Sequence, residues 1–358
     1  MTEDSMNMTV KLDGFDESLE FSAVWLRDNC RCKDCYNYAT KQRSIDVTLL
    51  SPFCFACHYF FENDKLHLTW GDGHKSTFDI AFLRQYSQLE QWPQPFLWKG
   101  EEAKSLVTAI SLGKFSQLAG QEEVVNSILR NGLAIVSGVE PTLSATENVI
   151  ERLAPIYHTL FGGMWEVGDS LEHHDTAYTK AAIGPHTDNT YFLYPAGLQV
   201  FHCLRHVGEG GETTLVDGFH AALELKSADP QSYATLAGTQ VEAEYLEPAK
   251  HHRATSPILR HRAGTTELEQ IRFNCYDRSP RLPANASAFY SALRKLAAIV
   301  RSPDNEWKFK LEPGNVVFIN NWRVLHGRAS FSGTRNMVGA YVSMGEFLSR
   351  ARVLKLIR

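Results

Sequence analysis

The sequence predicts a mixed α and β chain, mainly β, in two domains, on three observations. Within the first 90 residues, short apolar alternations at 7–12, 44–50 and 65–70 are broken by polar turns, as in a small β-rich domain. Gln91-Trp92-Pro93-Gln94-Pro95 then interrupts any regular element. Beyond it, segments of helical period stand between apolar strands and long insertions. We therefore expect an N-terminal domain over 1–95, a connection over 96–120 and a larger domain over 121–358.

The larger domain can be read element by element. A helical period runs from 121 to Gly132, whose missing Cβ suits a left-handed cap, and Leu133-Ala134-Ile135-Val136-Ser137-Gly138 follows as a buried strand. Helices are expected again near 144–160, 220–237 and 284–301. Glu312-Pro313-Gly314 is a turn that feeds a buried strand through Ile319. There is no internal repeat and no low-complexity tract.

Composition excludes several classes. At 358 residues and a net charge of −5, with Lys and Arg scattered, the chain is not built for nucleic acid, and a small molecule is the expected partner. No run of about 18 apolar residues suggests a membrane span. Residues 1–13 lack both a secretory and a transit-peptide pattern, so a cytoplasmic protein is expected, or a mitochondrial one in mature form. In such a compartment the seven cysteines are not a disulfide framework.

Two sets of residues carry metal chemistry. Cys30, Cys32 and Cys35 lie within six residues, and His74 follows in a Gly-rich turn. Three sulfurs and one nitrogen would close a tetrahedral zinc site, whereas the bland alternative is three free thiols in a turn. Cys54-Phe55-Ala56-Cys57-His58 matches a haem-attachment pattern, but its aromatic flanks suit a buried strand or insert with packing cysteines. The second set is His186-Thr187-Asp188 with the distant His326. Residues i and i+2 of a strand point the same way, so both side chains can reach one metal. Two imidazoles and one carboxylate fill one face of an iron(II) octahedron and leave three positions open. Arg335, in a strand-like run after His326, offers a fork-shaped cation for the far carboxylate of 2-oxoglutarate.

These motifs resemble the iron- and 2-oxoglutarate-dependent dioxygenases of the taurine dioxygenase and γ-butyrobetaine hydroxylase superfamily. The similarity runs from about Trp25 to the C-terminus and is strongest to the trimethyllysine dioxygenase branch, through His186-Thr187-Asp188-Asn189-Thr190-Tyr191, Gly210-Gly211-Glu212-Thr213 and Asn321-Trp322-Arg323-Val324-Leu325-His326. The resemblance implies a double-stranded β-helix, or jelly roll, flanked by helices, beside a zinc-binding N-terminal domain whose ligands fall on Cys30, Cys32, Cys35 and His74. It implies Fe(II), 2-oxoglutarate as co-substrate, ascorbate as reductant, and C3-hydroxylation of N6,N6,N6-trimethyl-L-lysine, the first step of carnitine biosynthesis. A homodimer is compatible with it. Trp165, Tyr178 and Tyr341 would cage the trimethylammonium, with Phe161 where the hydroxylase has Tyr. Asp175 would meet an α-ammonium, Asn274 the substrate carboxylate, and Thr213 the 2-oxoglutarate. γ-Butyrobetaine hydroxylation is the alternative on the same scaffold. A non-catalytic metal-binding β-barrel and a haem carrier are alternatives of other classes.

Overall fold

The computed structural model describes residues 7–11, 18–50, 56–87, 90–167 and 179–357. The chain falls into two compact units, chiefly Met1–Gln91 and Trp92–Ile357.

The smaller unit is built on a three-stranded antiparallel sheet of Ala56–Glu62, Lys65–Trp70 and Lys75–Asp79. Alternation in the middle strand buries Leu66, Leu68 and Trp70, which pack with Phe21, Leu26, Phe78 and Leu83 into a core of their own. The aromatic run at Tyr59, Phe60 and Phe61 is not buried as expected, because its strand lies at the sheet edge and those rings are exposed. Nor does 44–50 hold a strand. Asp46 accepts a bond from the Thr48 N–H at 2.9 Å and turns Val47–Leu49 into one 3₁₀ turn instead.

The larger unit is centred on two sheets, whose strands are β1 (Ile110–Ser111), β2 (Leu133–Ser137), β3 (Met164–Val167), β4 (Ile183–His186), β5 (Leu198–Val207), β6 (Thr213–Asp217), β7 (Trp307–Phe309), β8 (Asn315–Asn320), β9 (Val324–Arg328) and β10 (Thr334–Val342), and it also carries two two-stranded ribbons, Val241–Glu247 with Lys250–Ser256 and Leu259–His261 with Leu268–Ile271. One sheet runs β3-β10-β5-β8-β2-β1 and the other β4-β9-β6-β7. The architecture is mixed in class and mainly β.

Period-two alternation shows how the sheets pack. In β2 and β8, Leu133, Ile135, Val317 and Ile319 join Leu215 and Val324 of the second sheet in one core. Their neighbours Ala134, Val136, Val316 and Phe318 face the opposite way, onto helices α1 (Leu118–Asn131), α2 (Leu143–Leu153) and α6 (Met344–Val353). Strands buried on both faces read as continuous apolar runs, which is why 133–136 is so clear in sequence. Beyond the second sheet, α3 (Gly218–Ala228), α4 (Pro230–Gly238) and α5 (Ala286–Val300) cover Val216 and Leu325.

Local signals set the boundaries. Gly132 ends α1 at φ +82°, and a Cβ there would also meet Val324 at 2.5 Å. The single helix expected over 220–237 is two, because Pro230 cannot continue a helix and Asp229 caps the second by accepting from Ser232 N–H at 3.0 Å. Residues 96–120 are more than a connection: Trp98 and Ala103 sit in the core between the sheets, and Gly100–Leu106 and Leu112–Phe115 are helical.

Candidate active site and metal centre

In the smaller unit, Cys30, Cys32 and Cys35 follow the short helix Ala23–Asp28, and His74 sits in the turn between two strands. His74 Nε2 lies 3.3, 3.7 and 3.5 Å from the sulfurs of Cys30, Cys32 and Cys35. Zinc bonds of 2.3 Å to sulfur and 2.0–2.1 Å to nitrogen at tetrahedral angles require an S···N edge of about 3.5 Å. The four donors thus stand where a closed zinc site needs them. Burial pushes the Cys35 thiol up to about 11, and the Arg27 guanidinium opposes it by donating to that sulfur at 3.3 Å. Cys57 is exposed, and Cys54 lies outside the described residues.

In the larger unit, β4 and β9 pair so that His186 and His326 are direct cross-strand partners, their rings 4.6 Å apart. Asp188, just beyond β4, brings one oxygen to 3.3 Å from His186 Nε2 and the other to 3.5 Å from His326 Nε2. These contacts gather one carboxylate and two imidazoles, the facial donor set for non-haem iron. The Gly184 carbonyl can only accept, so the 2.9 Å contact puts the proton on His186 Nδ1 and leaves Nε2 as the metal donor. Burial pushes the Asp188 carboxyl up, but the imidazoles of His326 and His186 outweigh it and hold the group well below the ordinary range. Burial, then the Asp188 charge, push the Tyr341 phenol well above its ordinary value, so it stays protonated and donates to Asp188 Oδ2 at 2.9 Å.

Asn321 has a role that sequence reasoning missed. Its amide accepts from Asp188 N–H at 2.7 Å and donates to the carbonyls of Asp188 at 3.1 Å and Ala196 at 3.0 Å. It thereby fixes the backbone that carries the carboxylate. An asparagine in a turn is too common to announce this from sequence alone. Below it, the fully buried Arg323 makes two bonds to Asp217, at 3.1 and 2.7 Å, and Asp217 caps α3.

The triad opens into one cavity. On one side are Thr213 and Arg335. The half-buried guanidinium of Arg335 has no acidic partner among the described residues, and burial lowers its pKa. An unpaired cation in such a place is costly until an anion joins it, so the pocket suits a carboxylate ligand. On another side are Phe161, Trp165, Tyr191 and Tyr341. Trp165 packs 6.0 Å from Tyr341 across Gly339, where a Cβ would strike the indole at 2.2 Å. Tyr191 is the aromatic that sequence reasoning did not single out. Asn274 also lines the cavity, its amide nitrogen already donating to Asp277 at 2.7 Å. Asp175 and Tyr178 lie outside the described residues.

The comparisons agree with this geometry. Residues 100–341 match the family described as taurine catabolism dioxygenase TauD, TfdA. Fold and triad together define a dioxygenase of the iron- and 2-oxoglutarate-dependent class, and the chain belongs to the TauD, TfdA family. Among curated relatives, the mitochondrial trimethyllysine dioxygenase of Bos taurus is 38% identical over 351 residues, spanning 94% of this chain and 83% of that one. The human gamma-butyrobetaine dioxygenase is 28% identical, spanning 95% of this chain and 92% of its own. Among solved structures, AAD-2 in complex with Mn(II) and N-oxalylglycine aligns with a TM-score of 0.51 at 14% identity, covering 71% of this chain and 98% of its own. At that identity it speaks for the fold alone.

Proposed function

We propose that this chain hydroxylates C3 of N6,N6,N6-trimethyl-L-lysine, the first step of carnitine biosynthesis. The observation that carries the reading is the aromatic wall of Phe161, Trp165, Tyr191 and Tyr341 facing the same cavity as the triad. A quaternary ammonium neither donates nor accepts hydrogen bonds, so ring faces are what can select it. The trimethyllysine dioxygenases among the relatives favour this substrate.

His186, Asp188 and His326 would hold Fe(II), and Arg335 with Thr213 would take the distal carboxylate of 2-oxoglutarate. Bound iron with O₂ supplies the oxidising chemistry, as 2-oxoglutarate leaves as succinate and CO₂. The chain itself orients and excludes water. Tyr341 serves twice, its hydroxyl steadying Asp188 and its ring completing the wall. Asn274 would meet the substrate carboxylate, while Tyr178 in the trimethylammonium cage and Asp175 at the α-ammonium are proposed from sequence alone. We read the two facing sheets as a double-stranded β-helix, the Cys30, Cys32, Cys35 and His74 cluster as a structural zinc site, and ascorbate as the reductant.

Side-by-side succinate assays test the assignment. Succinate formed with trimethyllysine and little with γ-butyrobetaine is the expected result. The reverse preference assigns the chain to γ-butyrobetaine, and no substrate-dependent succinate overturns enzymatic function.

A further inference from the structure

We infer that Arg272 is a positioning residue for the aromatic wall: its buried guanidinium fixes the main chain on both sides of Tyr191, and through that ring it sets how tightly the quaternary ammonium is held. The inference rests on the function proposed above and deepens it by naming what keeps one ring of the wall in place.

Tyr191 needs such a support more than Trp165 and Tyr341 do. Those two stand on the paired strands β3 and β10, whereas Tyr191 belongs to the irregular segment of residues 187–197 between β4 and β5. The segment turns at Asn189, whose φ is +58°, and the Phe192 N–H closes the turn on the Asn189 carbonyl at 2.9 Å. Its tip is not held by packing, since Leu193 and Tyr194 are 72% and 74% exposed.

The guanidinium supplies the support. Arg272 Nη2 donates to the carbonyls of Thr190 and Phe192, the latter at 2.7 Å. These residues flank Tyr191 directly, so one nitrogen with two hydrogens holds the backbone before and after the ring. The ring itself packs 4.9 Å from that of Tyr245. Arg272 can serve as an anchor because its own main chain is fixed. Its N–H donates to the Ile258 carbonyl at 2.8 Å, the Ile271 N–H to the Trp322 carbonyl at 2.8 Å, and the Phe273 N–H to Thr187 Oγ1 at 3.0 Å.

The energetics favour a geometric role. Arg272 is 7% exposed and makes no ion pair among the described residues. Burial, then the nearby Arg260 charge, pull its pKa down to about 10, so it stays charged at neutral pH. A buried charge is a weak source of net stability, because desolvation offsets its attractions. What it does supply is direction, through charge-assisted bonds to two carbonyls two residues apart.

The test is a double-mutant cycle on the iron-loaded enzyme, read as KM for trimethyllysine and for 2-oxoglutarate. Arg272→Met should raise the KM for trimethyllysine by about tenfold, the range for hydrogen bonds to a charged group, and leave that for 2-oxoglutarate within about twofold. Arg272→Lys keeps the charge and can reach one carbonyl, so it should recover part of the loss, and it carries the cycle where Arg272→Met does not fold. Tyr191→Leu should raise the KM for trimethyllysine as well. Adding the Arg272 substitution to Tyr191→Leu should then change it little further, because both act through one ring. Effects that multiply independently would overturn the inference, as would an unchanged KM in Tyr191→Leu. Increases of equal size for trimethyllysine and 2-oxoglutarate would overturn it too, being the mark of a merely structural role. A chain that turns over γ-butyrobetaine and not trimethyllysine overturns the proposed substrate instead. The same cycle measured with γ-butyrobetaine, which bears the same quaternary ammonium, then decides the inference.

Discussion

Two groups of metal-ligating side chains in one chain differ in almost every physical respect. The cysteine and histidine cluster has four donors drawn from one helix end and one turn, close to a tetrahedron's edges, with no position left for a substrate. The triad has two donors on paired strands and a third just beyond one of them, and opens on a cavity lined by rings, an amide and an arginine. The first arrangement can only hold; the second can hold and react. Removing a donor from each should therefore break different things.

The largest effect is expected at the triad. His326→Ala should lower turnover by more than about 100-fold, since losing even a partner of a metal ligand costs 10 to 100-fold. The fold should survive, because β9 keeps its pairing with β4 and β6. Turnover assays with circular dichroism check this, and half the original activity in His326→Ala would remove His326 from the metal set.

His74→Ala should do the reverse in order of events. Zinc content should fall from one per chain to near zero by metal analysis, and the smaller unit should melt first, because closed-site binding and folding are linked. The small core around Leu26, Leu66, Trp70 and Phe78 has little else to support it. Binding must also expel the proton that burial keeps on the Cys35 thiol, so zinc affinity should weaken as pH falls. Protein prepared without chelators that contains no zinc would count against the site.

How legible these two regions were in the sequence follows from how local their signals are. Cys30, Cys32 and Cys35 sit on one short segment, and His186 and Asp188 are two residues apart, so spacing alone suggests both, although the strand ends at His186 and Asp188 lies just beyond it. The buried strands at 133–136 and 316–319 are legible because two covered faces leave no room for polar residues. Asn321 and Tyr191 are different. Each acts through a partner far away in the chain, as Asn321 does on Asp188, and no local pattern reports such a contact. The exposed rings at Tyr59 to Phe61 misled for the opposite reason: apolar composition resembles burial, but an edge position overrides it. The expectation of a jelly roll, too, came from resemblance rather than from periodicity.

A smaller change sharpens the contrast inside the catalytic cavity itself. Arg335→Lys keeps the positive charge and removes the two-pronged fork, so the KM for 2-oxoglutarate should rise by about tenfold with kcat reduced less. The KM for trimethyllysine should hardly move, since the aromatic wall is untouched. Steady-state kinetics with each substrate varied in turn separate the two. An unchanged requirement for 2-oxoglutarate would place its anchor elsewhere, with Arg328 the next cation lining the cavity.

The last prediction concerns an imidazole that is buried like the ligands but holds no metal. His202 on β5 is fully buried; its Nε2 accepts from Gly314 N–H at 3.2 Å, so its Nδ1–H donates to Thr146 Oγ1 at 2.7 Å. Burial lowers its pKa to about 4, against about 6.5 when exposed. Between those values the unfolded chain binds a proton that the folded chain refuses, so stability falls as pH falls. The contribution is fully present above pH 6.5, and about 3 kcal/mol of it is lost by pH 4. His202→Gln can keep both bonds and cannot titrate. Its denaturation midpoint should therefore depend less on pH across that window, with turnover at neutral pH unchanged. Acid loss of activity that persists in His202→Gln then belongs to the metal ligands, whereas an equally steep stability curve in both proteins would show that His202 is not the group responsible.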